Sequence, residues 1–157
     1  MSDYYQLLKL AHIFGATLLF GTGLGTAFFM WRADRSGDVA AIAQTARTVV
    51  VADYLFTLPA VIAQPLTGYL LVLAVGYELT EGWILATLGL YVLTGACWLP
   101  VVWLQTRMRD LAVEARDAGT PLPPAYHRAM RTWFILGWPA FAAVIAIFYL
   151  MLLRPNF

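Results

Sequence analysis

The residues of this sequence that could do chemistry begin with a histidine inside an apolar stretch. His12 lies near the start of the stretch formed by residues 9–30, and an ionisable side chain in such a stretch is by default a candidate functional residue. An imidazole can bind a haem iron or hydrogen-bond a neighbouring helix. Gly15 follows within one helical turn and Gly23 lies further along. Small residues at such spacings let another helix or a flat ligand approach closely.

A second group of polar residues recurs at close to helical spacing in the middle of the chain. It comprises Asp53, Thr57, Gln64, Thr67 and Gly68. We expect these residues to form a polar seam that faces the interior of a helical bundle, with Gln64 as a candidate cofactor contact. The alternative is that Gln64 and the threonines are interhelical hydrogen-bonding groups, each worth about 1 kcal/mol. Asp53 is expected to pair with Arg47 or Arg131.

The composition places these residues in a membrane protein. Of the 157 residues, 61% are hydrophobic and only 12% are charged, whereas soluble domains carry about 25% charged residues. The formal net charge is +1, and the basic residues form no stripe, so a nucleic-acid partner is not expected. The single cysteine, Cys97, excludes an intrachain disulfide and a cysteine-based metal cluster.

Four apolar segments are long enough to span a bilayer core about 30 Å thick. They cover approximately residues 5–31, 49–77, 81–108 and 132–153. Because free backbone groups find no water in lipid, the spans should be helices. The sequence therefore predicts an all-α fold, a four-transmembrane-helix bundle forming one integral membrane domain over residues 1–157. A short amphipathic helix is expected over residues 39–46, and residues 119–124 should break any helix.

The basic residues predict the orientation of the bundle. Eight of the ten flank the first and third loops, and these are Arg32, Arg35, Arg47, Arg107, Arg109, Arg116, Arg128 and Arg131. Four spans put both loops on one face of the membrane. The positive-inside rule then places this face in the cytoplasm and both the N and C termini on the extracytoplasmic side.

This topology separates the two histidines. His12 lies in the outer third of the first span, while His127 precedes the fourth span on the inner side, so one iron cannot bind both. His12 could be an axial ligand with an open, water or non-histidine sixth position, or with a ligand from a second copy. Arg131 at the inner surface reaches either lipid phosphate or an inward group, and we include it among the candidate cofactor contacts.

Several short pieces of the sequence together resemble the HemJ family of membrane proteins. They are Leu10-Ala11-His12-Ile13 with glycines one or two turns later, Leu58-Pro59-Ala60 followed by Thr67-Gly68, Gly82-Trp83-Ile84-Leu85, and Arg131 followed by Pro139 and Arg154-Pro155. The chain resembles even more closely a bacterial group of predicted integral membrane proteins, the domain-of-unknown-function family 2269, which is itself similar to HemJ. The resemblance covers nearly the whole chain in order.

The resemblance implies a small helical bundle in the bacterial inner (cytoplasmic) membrane, often self-associating, with haem b bound through His12. HemJ proteins oxidise protoporphyrinogen to protoporphyrin. Two positions differ from the HemJ pattern, since its helix lysine falls near Thr87 here and its later helix histidine falls near Cys97 or Trp98. The expected site therefore contains His12 as ligand of the haem iron, with Gly15, Gly23, Gln64 and Arg131 around the cofactor.

Three functional hypotheses remain open at the level of sequence. The first is a haem-binding redox protein, which would be a HemJ-like oxidoreductase if it is an enzyme. The second is a non-enzymatic scaffold or accessory subunit in which His12 hydrogen-bonds Gln64 or a backbone carbonyl. The third is a transporter lined by Gln64, Thr67 and Asp53. The short loops predict that any partner molecule is apolar or amphipathic, such as a quinone or porphyrin, and a homodimer is one expected assembly.

Overall fold

The computed structural model describes residues 3–155 and is all-helical over that range. The helices are α1 (Asp3–Ser36), α2 (Val39–Ala52), a π-helical segment (Asp53–Thr57), α3 (Leu58–Val75), α4 (Gly82–Ala118) and α5 (Pro124–Leu153). Together α2, the π-helical segment and α3 form one continuous helix, Val39–Val75. Four helices of the described chain are therefore long and apolar enough to cross a membrane, which confirms the predicted all-α fold with four spanning helices.

The helices extend well beyond the apolar spans at the end of the bundle that carries most arginines. The 37 residues of α4 give a helix about 55 Å long, which exceeds a hydrocarbon core of about 30 Å. We call the end where α1 and α4 finish and α2 and α5 begin the arginine end. The prediction of a separate short helix over residues 39–46 was wrong. These residues form the first turns of the long second helix, and Ile42, Ala43 and Ala46 are buried there.

Local signals define the helix boundaries at the arginine end. The Asp38 carboxylate accepts hydrogen bonds from the backbone N–H groups of Ala40 (2.8 Å) and Ala41 (3.2 Å) and so caps α2. Gly119 ends α4 in the left-handed conformation, with φ +64°, which a glycine adopts without steric cost. The helix break predicted at residues 119–124 is therefore confirmed, and α5 starts at Pro124.

The buried apolar residues of the bundle lie mainly at the arginine end. This core, which we call the arginine-end core, contains Met30, Ala33, Ile42, Ala43, Ala46, Val49, Leu104, Met108, Leu111, Ala112, Tyr126, Ala129, Met130 and Trp133. Here α4 packs against both α2 and α5, and α1 packs against α2. Towards the other end α1 packs against α3, and large side chains such as Leu66, Val92 and Leu152 face outwards, as expected for lipid-facing surfaces.

The two prolines of the second span are accommodated in different ways. Pro59 comes directly after the π-helical segment, where the backbone N–H of Leu58 donates to the carbonyl of Asp53, five residues earlier. Pro65 lies inside α3 and has no N–H to donate to the carbonyl of Val61. The Tyr91 hydroxyl on α4 donates to that carbonyl instead. A neighbouring helix thus supplies the donor that the proline removes, as expected for a proline in a membrane helix.

Candidate functional site

His12 lies half-buried where α1 packs against α3. Its Nδ1 atom is 2.8 Å from the hydroxyl oxygen of Thr67. The same hydroxyl donates to the carbonyl of Ala63, one turn earlier on α3, at 2.8 Å. Thr67 is therefore a fixed polar contact between the histidine ring and the backbone of the neighbouring helix.

The hydrogen bonds of Thr67 favour one of the two neutral tautomers of His12. A carbonyl oxygen only accepts and a threonine hydroxyl has one hydrogen, so that hydrogen points at the carbonyl of Ala63. The Nδ1 atom of His12 must then donate to the hydroxyl oxygen, a tautomer inferred from the hydrogen-bond network. In the neutral ring this leaves the lone pair on Nε2, for which we find no hydrogen-bond partner within residues 3–155.

Gln64 and two glycines complete the contact around His12. The side-chain Nε2 of Gln64 donates to the backbone carbonyl of His12 at 2.7 Å. A Cβ atom added at Gly15 would lie 2.5 Å from that nitrogen, so Gly15 makes room for the Gln64 amide. A Cβ atom added at Gly68 would lie 3.3 Å from Cε1 of His12. The structure therefore brings together three of the five predicted cofactor contacts, His12, Gly15 and Gln64.

The other two predicted contacts lie elsewhere. Gly23 is exposed, about three turns beyond His12 on α1, and an added Cβ would meet no atom within 4 Å. Arg131 is exposed in the first turns of α5, at the arginine end. Neither residue takes part in the contact of His12 with α3. The glycines of α1 thus have different surroundings, which their even spacing in sequence did not reveal.

A second polar cluster surrounds Asp53 in the π-helical segment. Asp53 is buried, and its Oδ1 atom accepts a 2.8 Å hydrogen bond from the Thr57 hydroxyl. The side chain of Gln105 on α4 lies beside the Asp53 carboxyl group. No basic side chain within residues 3–155 forms a salt bridge with Asp53. The expected pairing with Arg47 or Arg131 was wrong, because both arginines point to the exposed surface while Asp53 points inwards.

The spacing of polar residues in the second span predicted that Asp53 faces inwards, but the sequence did not identify its partner on α4. Gln105 lies among apolar residues near Arg107, so the sequence alone suggests a residue at the membrane–water boundary of the third span. Its apolar neighbour Leu104 is buried too. The structure places this amide beside the carboxyl group, next to the region where α2 packs against α4.

No other constellation in the described part of the chain suggests a metal centre. Within residues 3–155, no three His, Cys, Asp or Glu side chains lie close enough together to hold a metal ion. Cys97 is a buried free thiol.

Comparison with known proteins places the chain in a family. No curated protein and no solved structure gave a significant match. Residues 6–155 match the pattern of a family described as predicted integral membrane protein (DUF2269). The match covers all four spanning helices almost completely, including the His12 and Asp53 clusters. The chain therefore belongs to the DUF2269 family of predicted integral membrane proteins.

Proposed function

We propose that this integral membrane protein binds a b-type haem through Nε2 of His12 and takes part in membrane redox or porphyrin chemistry. The observation that carries the proposal is the contact between the ring of His12 and Thr67. Nδ1 of His12 lies 2.8 Å from the Thr67 hydroxyl oxygen, and in the tautomer that donates from Nδ1 the lone pair lies on Nε2. Histidines that bind metals usually donate their other N–H to an oxygen atom, which fixes the orientation of the ring and raises its basicity.

The surroundings of His12 fit an axial ligand in a membrane protein. The residue is half-buried, and its helix is held to α3 through the Gln64 amide and the backbone of His12. A haem bound here would supply one-electron chemistry at membrane depth. The reaction partner would be a quinone or a porphyrin, which can reach the site from lipid. The sixth ligand of the haem iron would be a solvent molecule, a non-histidine side chain or a residue of a second copy of the chain.

The proposed location is the bacterial inner membrane, with both termini on the extracytoplasmic side. The position of the arginines supports this orientation, because Arg32 and Arg35 end α1 and Arg109 and Arg116 lie near the end of α4. Single cysteines at Gly119 and Gly76 in a Cys97→Ala background test it. An impermeant thiol reagent added to whole cells should label the cysteine at position 76 only, and labelling of position 119 alone would reverse the topology.

The test of haem binding is the absorption spectrum of the detergent-purified full chain, oxidised and reduced. We expect a Soret band that His12→Ala abolishes. The Thr67→Val variant, which removes the hydrogen-bond acceptor of Nδ1, should shift or weaken the band. His127→Ala is the matched control and should leave the spectrum unchanged. A colourless preparation from haem-supplemented cells, or a full band in His12→Ala, would refute the proposal.

A second candidate function is a non-enzymatic scaffold or accessory subunit. It is favoured by one observation, namely that both hydrogen bonds around His12 join α1 to α3. In this case His12 serves helix association, and the purified chain is colourless and stable. His12→Gln should then cost little stability, because a glutamine can still hydrogen-bond Thr67. Measuring the unfolding midpoint of this variant together with its spectrum separates the two candidates.

A further inference from the structure

We propose that a cavity at the arginine end of the bundle binds a small organic amine, whose ammonium group pairs with Asp34. The cavity has a volume of about 630 Å³ and lies where α1 and α4 end and α2 and α5 begin. Small-molecule sites usually measure about 300–1,000 Å³. Asp34 follows His12 by 22 residues on α1, a distance of about 33 Å. The inference is therefore independent of the function proposed for His12.

The walls of the cavity are largely apolar. Val39 and Ile42 on α2 line it, together with Leu122 in the loop before α5. Gly37 and Gly119 lie in the two loops of the cavity wall, and a Cβ atom added at either would meet no atom within 4 Å. The space in front of both loops is therefore open. Sites for small molecules combine such apolar walls with a few polar groups that orient the ligand.

Asp34 supplies an uncompensated negative charge to the cavity. It lines the cavity, is half-buried and forms no salt bridge within residues 3–155. The Tyr126 hydroxyl group lies beside the Asp34 carboxyl group and is itself buried without a hydrogen-bond partner in the described chain. A neutral hydroxyl group leaves the charge in place, and the buried tyrosine shields that side of the carboxylate from water. An ion pair with a partly desolvated carboxylate is stronger than one at a fully exposed surface.

The arginine on the cavity wall is already paired. Arg116 donates to the carboxylate of Asp117 from Nε at 2.9 Å and from Nη2 at 2.7 Å. The pair is neutral as a whole, so it attracts an anionic ligand only weakly. His127 also lines the cavity, and in its neutral form the ring donates or accepts a hydrogen bond without adding charge. The charge of the wall therefore favours a ligand with one positive charge.

The location of the cavity indicates that its ligand comes from water. The third apolar segment ends near Met108, and Ala115 on the cavity wall lies seven helical residues further along α4. Seven residues correspond to about 10 Å of helix, so the cavity lies outside the hydrocarbon core. A water-soluble amine with a short apolar body fits this position, because its ammonium group can reach Asp34 while the body contacts the apolar wall.

The experiment is isothermal titration calorimetry of the full chain in phosphatidylcholine nanodiscs, with empty nanodiscs as the blank. Three probes of similar size differ in charge, since 2-phenylethylamine is a cation, 2-phenylethanol is neutral and phenylacetate is an anion. We expect 2-phenylethylamine to bind saturably, with one molecule per chain. It should bind about tenfold more tightly than 2-phenylethanol or better, and phenylacetate should not bind. Binding should persist in His12→Ala, which separates this site from the proposed haem.

Two matched substitutions test the role of the carboxylate. Asp34→Asn keeps the size of the side chain and removes its charge, so the affinity for 2-phenylethylamine should fall about ten- to a hundredfold. Asp38→Asn is the control, because it removes the same charge from the cap of α2, where asparagine also caps a helix well. This variant should keep the wild-type affinity. Ala40→Phe places a large side chain on the cavity wall and should weaken binding without changing any charge.

The comparison of probes on the wild-type chain decides the case even if a variant does not fold. Absence of saturable binding by 2-phenylethylamine would overturn the proposal. Equal affinity for 2-phenylethylamine and 2-phenylethanol would also overturn it, since the charge of Asp34 would then have no part in binding. Tighter binding of phenylacetate would overturn it as well, because Arg116 and His127 would then determine the ligand. So would an unchanged affinity for the amine in Asp34→Asn.

Discussion

Substituting Gly15 by alanine provides a strict test of the contact between α1 and α3. A Cβ atom at position 15 would lie 2.5 Å from Nε2 of Gln64, too close for two unbonded atoms. The Gln64 amide cannot simply move aside, because the same nitrogen donates to the carbonyl of His12 at 2.7 Å. We therefore expect Gly15→Ala to break this hydrogen bond or to push α1 away from α3. Gly21 on the same helix is the matched control, since an added Cβ there meets no atom within 4 Å.

Comparing Gly15→Ala with Gly21→Ala isolates the energetic cost of the contact with the Gln64 amide. Alanine is a better helix former than glycine by about 1 kcal/mol, and this gain applies equally to Gly15→Ala and Gly21→Ala. The difference between them then reports the displaced amide of Gln64. A buried polar group left without its partner costs about 1–3 kcal/mol, although interhelical hydrogen bonds in membranes average only about 0.6 kcal/mol. We expect Gly15→Ala to be less stable than Gly21→Ala by about 1–3 kcal/mol.

The measurement is the free energy of unfolding in mixed micelles, titrated with a denaturing detergent. A double-mutant cycle with Gln64→Ala adds the decisive control, because removing the amide should also remove most of the penalty of Gly15→Ala. If Gly15→Ala proved as stable as Gly21→Ala, or kept its full penalty in the Gln64→Ala background, the geometry described for this contact would be refuted.

Three further substitutions test single hydrogen bonds and one turn. Tyr91→Phe removes the donor to the carbonyl of Val61 and should cost about 1 kcal/mol in the same unfolding titration. The cost should be smaller in a Pro65→Ala background, where a backbone N–H can donate to that carbonyl. An unchanged cost in this background would contradict the role of Tyr91 as the replacement donor. Asp38→Ala removes the cap of α2 and should cost about 1 kcal/mol, whereas Asp38→Asn should cost less. Gly119→Ala places a side chain at φ +64° and should cost about 1 kcal/mol, with Gly89→Ala as the control in a regular helix.

The main features of the fold were predictable from sequence because they depend on local properties. Four apolar runs separated by more polar loops are enough to predict four spanning helices, and the break at residues 119–124 follows from its glycine and prolines. The length of the helices was not predictable in this way. Residues 39–46 and 109–118 are polar or mixed, and they remain helical because their apolar sides pack together in the arginine-end core, a contact between segments far apart in sequence.

The candidate site was only partly predictable for a similar reason. His12 and Gln64 were recognisable because polar residues in apolar helices are unusual, and the structure brings them together. Gly15 and Gly23 looked equivalent in sequence, yet only Gly15 faces the Gln64 amide. The π-helical segment was not predictable either, because no residue type marks the position at which a helix changes its hydrogen-bond register. That change accompanies the inward position of Asp53, away from Arg47.

The distribution of contacts explains why the polar clusters occur where they do. Arginine-end residues beyond the bilayer can be held together by the hydrophobic effect, and large side chains such as Met108 and Tyr126 are fully buried there. Within lipid that driving force between helices is absent, so association depends on close packing and on interhelical hydrogen bonds. Here α1 is joined to α3 by the bonds of His12 and Gln64. Every polar contact in the spans therefore has a structural role available to it. A ligand function requires an atom that these contacts leave unused. Besides Nε2 of His12, the buried side-chain atoms without a hydrogen-bond partner within residues 3–155 are Thr87 Oγ1, Gln105 Oε1, Tyr126 OH and Trp133 Nε1.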